Sequence, residues 1–183
     1  MVKNRATRAL TLNDNKILPK SKRSQMQLSF GMIFSIILIV IFLAFAFYAI
    51  MKFLEMQKTV QIGQFIDDIQ NDVNGIRQGL QGSVEKTYSL PSNIDYVCFA
   101  DFLSPETGEN KELYYELQRG FTTGENLFFY PFSSGRGMET KIEKIDLFKT
   151  TEKDNPLCFE NKKGKVKIAL RMQSGETAVT ISK

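Results

Sequence analysis

The chain has 183 residues, with 24 Lys and Arg, 20 Asp and Glu, no histidine and a formal net charge of +4. The missing histidine removes Ser–His–Asp and Cys–His arrangements, histidine metal sites and the imidazole base, so enzymes built on those groups are excluded. The positive charge is local: residues 1–24 hold Lys3, Arg5, Arg8, Lys16, Lys20, Lys22 and Arg23 against Asp14, a net of +6, and the rest sums to −2. A basic tail beside an apolar segment is topogenic charge, and no nucleic-acid partner is expected.

Residues 1–24 are polar, without apolar periodicity, and read as a basic cytoplasmic leader or tail. Between Arg23 and Lys52 no residue carries a charge, and residues 28–51 are mostly Ile, Leu, Phe, Val, Ala and Met. Those 24 residues reach about 36 Å as a helix, beyond the roughly 30 Å hydrocarbon core of a bilayer. There is no polar face to turn to water, so residues 25–51 are expected to form a transmembrane helix in a lipid bilayer. The basic flank puts the N-terminus in the cytoplasm and the C-terminal domain outside. No small-x-small cleavage site follows the segment, and no cysteine stands at its start for a lipid anchor.

Directly before the apolar run stand Lys22, Arg23, Ser24 and Gln25. This junction resembles the leader junction of archaeal type IV pilin-like proteins, the class III signal peptides: basic residues, a small residue, often Gln, then an uninterrupted apolar helix. The resemblance implies that a prepilin peptidase cuts between Ser24 and Gln25 on the cytoplasmic side. It also implies other pilin-like subunits as partners. Two positions depart from the pattern. Ser24 stands where Gly is commoner, and Ser29, the fifth position after the cut, is not the Glu of most bacterial pilins.

From Lys52 to about Lys86 there is no proline, and Ile62, Phe65, Ile66, Ile69, Val73, Ile76, Leu80 and Val84 recur at three- and four-residue steps. That spacing predicts an amphipathic stem helix over 52–87 with one narrow apolar stripe, suited to self-association or to lying on a domain. Gly63, Gly75, Gly79 and Gly82 each weaken a helix by about 1 kcal/mol relative to Ala, so the stem needs packing to hold. A long helix followed by a compact domain is also similar to the architecture of type IV pilins.

Pro91 is expected to close the helical region, and residues 88–183 read as a small extracytoplasmic β domain with turn signals every ten residues or so. Strands are expected over 94–102, 126–132 and 141–149, while 111–118 suits either a strand or two helical turns. Segments 157–160, 166–172 and 177–181 read as a meander in which Val166, Ile168, Leu170 and Met172 share one face. The fold class is therefore α+β, one long N-terminal transmembrane and stem helix followed by a small antiparallel sheet domain.

Cys98 and Cys158 both fall in the exported part, where thiols oxidise, so a disulfide is the natural reading; two buried free thiols also fit. Asp68 and Asp72 share a helix face, read as solvated carboxylates before a cation site. Residues 133–137, Ser-Ser-Gly-Arg-Gly, form a Gly-rich loop that opens no predicted helix and lacks phosphate-loop spacing. Tyr114, Tyr115, Phe128 and Phe129 are read as core before ligand surface. No catalytic residue, cofactor or metal is expected. The expected function is a pilin-like or minor-pilin subunit of a surface filament; the alternative is a permanently anchored single-pass protein with an outer binding domain.

Overall fold

The computed structural model describes residues 30–79 and 82–183. Helix α1 (Phe30–Gln78) opens the described chain, followed by β1 (Gly82–Ser89), β2 (Tyr96–Phe99), α2 (Lys111–Gln118) and β3 (Leu127–Tyr130). Then come α3 (Leu147–Thr151), β4 (Leu157–Glu160), β5 (Lys165–Met172) and β6 (Thr180–Ser182). The α+β expectation holds: one long apolar-to-amphipathic helix, then small antiparallel sheets. The chain divides into two units, Met1–Ala44 and Phe45–Lys183. In the first, the described residues are helix alone, apolar and exposed on every side.

In the second unit the helical stripe finds its partner. Ile62, Phe65, Ile69 and Val73 are fully buried at the three- and four-residue spacing that puts them on one face. They pack against two three-stranded antiparallel sheets, ordered β1-β5-β6 and β3-β2-β4. The first sheet contributes Tyr88, Val166, Ile168, Leu170, Met172 and Ile181; the second contributes Val97, Phe99, Leu127, Phe129 and Phe159. Alternation in β5 is complete, with Val166, Ile168, Leu170 and Met172 buried and Lys165, Lys167 and Arg171 exposed. The second sheet is covered on both faces. Its other side, carrying Cys98, Phe128 and Cys158, lies under Leu117 of α2 and half-buried Leu113.

Several expectations are corrected. Helix α1 ends at Gln78, not near Lys86, and β1 takes over at Gly82, so the β domain begins before residue 88 and Pro91 does not close the helix. Gly79 and Gly82 stand at that break, where low helix propensity outweighs the continuing apolar spacing, and β1 gains an eight-residue ladder with β5. Residues 141–149 are not a strand. They hold one bridge, Ile145 with Val179, before Asp146 accepts the Lys149 N–H at 3.0 Å and starts α3. The ambiguous segment 111–118 is helical, with Tyr114 and Leu117 turned inward. The C-terminal meander is divided: β4 pairs with β2, and only β5 and β6 pair with each other. The strands expected over 94–102 and 126–132 are shorter, four residues each.

Candidate functional site

The molecule's most unusual surface is α1 itself. Every residue from 30 to 57 is exposed, among them Phe30, Phe34, Phe42, Phe45, Phe47 and Phe53. Water excludes such a surface at roughly 25 cal/mol per Å² of apolar area, so an apolar medium or partner must cover it. Length and composition make α1 the one helix among the described residues able to cross a membrane.

Beyond that stretch the helix is fixed by polar contacts as well as by its stripe. Gln70 forms a double clamp on the backbone of Glu143, accepting its N–H at 2.8 Å and donating to its carbonyl at 3.3 Å. Asp72 accepts from Lys86 Nζ and, at 2.7 Å, from the Tyr88 hydroxyl. Burial first, then the Asp72 acceptor, pushes the Tyr88 hydroxyl far above its ordinary range, so it stays a donor. Of the Asp68 and Asp72 pair, Asp72 is thus engaged by Lys86 and Tyr88. Among the described residues no group of three His, Cys, Asp or Glu side chains is placed to hold a metal.

Cys98 and Cys158 stand directly opposite each other in the β2–β4 register and are joined in a disulfide, with Cα atoms 4.0 Å apart. The bond lies on the α2 side of the second sheet, away from the stem. The aromatic pairs divide. Phe129 packs on Phe65 with ring centroids 6.0 Å apart, Phe128 lies beneath α2, and Tyr114 is buried with its hydroxyl on the Ser104 carbonyl at 2.8 Å. Tyr115 alone is exposed, donating to Glu106 at 2.8 Å, so no aromatic platform forms. Residues 133–137 form a turn with Ser133, Arg136 and Gly137 at positive φ, and no helix follows within the loop. Lys22, Arg23, Ser24 and Gln25 lie outside the described residues.

One organising residue was not singled out by sequence. Asn155, 1% exposed, accepts from the Asp101 N–H at 3.0 Å and donates to the carbonyls of Asp101, Ser104 and Pro105. It thereby knots residues 101–107 to the segment entering β4. The Asp-Asn-Pro run at 154–156 was a turn signal in the sequence, but its distant partners were not readable. A cleft of about 650 Å³ is lined by residues of both sheets, Lys165 of the first and Tyr96 of the second among them, together with Glu109 and Lys183. Its charges offset one another in part, through Lys162 with Glu160 at 3.2 Å and Lys167 with Glu85.

Comparison with protein-family models, with curated proteins and with solved structures finds no match for the chain.

Proposed function

We propose that the chain is a pilin-like or minor-pilin structural subunit of a surface filament, without enzymatic activity. The observation that supports this reading is the division of α1. Residues 30–57 expose an apolar surface on all sides, whereas Ile62, Phe65, Ile69 and Val73 are built into the β domain. A helix of that kind suits two successive dry environments, a bilayer and then the core of a protein filament, because neither asks its side chains to face water. Lys22, Arg23, Ser24 and Gln25 mark the step between them. Cleavage after Ser24 removes the cytoplasmic cations that hold the N-terminus at the inner surface, and the helix is then free to leave the lipid. The β domain faces outward, its second sheet tied by Cys98–Cys158.

A permanently anchored single-pass protein is the second reading, favoured by the cleft beside Tyr96 and Lys165, which offers a small ligand both an aromatic edge and a cation. Co-expression with an active prepilin peptidase separates the two. The filament reading predicts loss of residues 1–24 in the mass of the product, and protection from that loss by Ser24→Trp. A chain of unchanged length beside a peptidase that processes a control pilin overturns it.

A further inference from the structure

In the first sheet the core takes every second side chain, so the register fixes what the other face carries. Along β5 that face presents Lys165, Lys167, half-buried Ala169 and Arg171. Pairing with β1 sets Ser89 beside Lys165, Thr87 beside Lys167, Glu85 beside Ala169 and Ser83 beside Arg171. On the other side, β6 sets Ser182 beside Ala169 and Thr180 beside Arg171. A central row of cations about 20 Å long is thus flanked by hydroxyl groups, with Glu85 the one carboxylate on these three strands' outer face.

This is a local excess of positive charge, because the chain beyond residue 24 sums to −2. Glu85 pairs with Lys167, and among the described residues Lys165, Arg171 and Lys183 stand in no ion pair. The cleft of about 650 Å³ opens on the same face, where Thr87, Lys165, Lys167 and Ala169 line it. It adds Lys162 and Lys183 to the cations, Glu109 and Glu160 to the carboxylates, and the edge of Tyr96. Lys162 is held by Glu160 at 3.2 Å. The cleft therefore mixes cations with carboxylates beside an aromatic ring, and the row of β5 carries the positive charge on from it to Arg171.

We propose that this face and its cleft bind an acidic polysaccharide, a chain of sugar rings bearing carboxylates and hydroxyls. Lysine and arginine only donate hydrogen bonds and suit the sugar carboxylates, whereas Glu109 and Glu160 only accept and suit the sugar hydroxyls. The Ser and Thr rows of β1 and β6 do both. The mixture separates this ligand from a phosphate polymer. A nucleic acid would bring phosphates against Glu85, Glu109 and Glu160, and it finds no row of aromatic side chains on these strands for successive bases to stack on. The face lies opposite the one that packs on α1, so the proposal is independent of whether α1 stays in lipid.

The test follows the fluorescence anisotropy of a labelled galacturonic acid hexamer titrated with the full chain in phosphatidylcholine nanodiscs. Binding should weaken as salt rises, and by about tenfold in Lys165→Gln/Arg171→Gln. Lys141→Gln/Lys144→Gln removes the same charge from the segment that Gln70 clamps to α1, and should leave binding unchanged. Both variants alter exposed side chains and should unfold at the urea concentration of the parent chain. A hexamer that does not bind, or that loses affinity equally in the two variants, overturns the site. Equal binding of neutral maltohexaose overturns the role of the cations and the proposal with it. Binding of hexameric oligothymidylate as tight as that of the sugar assigns the face to phosphate polymers and overturns the polysaccharide. Cleavage after Ser24 has no part in any of these results, so a failure here leaves the filament proposal standing.

Discussion

Single residues carry unequal shares of the β domain. Gly108, at φ 79°, lies against Asp154 so closely that a Cβ would come within 2.8 Å of that residue's Cα. Gly108→Ala therefore combines a strained backbone with a clash against backbone, and should lower stability by about 2–4 kcal/mol in urea unfolding of the detergent-solubilised chain. Asn155→Ala should lower it by about 2–3 kcal/mol, because the half-buried Asp101 N–H and the Pro105 carbonyl lose their partner, while the Asp101 and Ser104 carbonyls each lose one of two donors. Replacing both Cys98 and Cys158 by Ala reopens a loop of 60 residues and should remove up to about 4 kcal/mol, with the β2–β4 ladder retained. Glu176 supplies a pH dependence. The Gln173 N–H, then Lys149 at 2.7 Å, hold its carboxyl below the usual 4.5. Its support is thus full above the unfolded value and lost as pH falls through the lowered folded one. Glu176→Gln should flatten that part of the acid-side stability curve.

At the scale of elements, α1 is one helix with two surfaces. Phe65→Ala opens a cavity where the stem meets both sheets, and should destabilise the domain by about 3–5 kcal/mol. Phe47→Ala, on the exposed stretch, should leave domain unfolding unchanged and weaken membrane partition instead. The stripe through Val73 was legible because four side chains at helical spacing must share a face. Its end was not: Leu80 and Val84 continue the spacing, and the weak helix propensity of Gly79 and Gly82 decides the break together with β1's pairing to β5, whose residues lie 76 to 90 positions away. A local effect hid α3, where the Asp146 cap prevailed over the alternation of Ile145 and Leu147. Distance again hid the assignment of β4, which joins β2 across the disulfide while the turn after it leads into the other sheet.

For the whole molecule, the surface that matters most is the one the sequence showed most plainly, because an uncharged run of this length has no polar face at any rotation. The core's partition into two sheets, with α2 closing the far side of the second, was beyond local patterns, since each layer is defined by contacts between distant strands. A subunit that passes from lipid to filament needs a covered domain that keeps its fold through the transfer, and an apolar helix free to change surroundings. On the proposed filament reading, the division of α1 into an exposed and a packed part serves both needs. The mature N-terminus tests this account most directly. Mass spectrometry of the protein recovered from cells should find it beginning at Gln25; a mature protein that still carries residues 1–24 would contradict the filament reading.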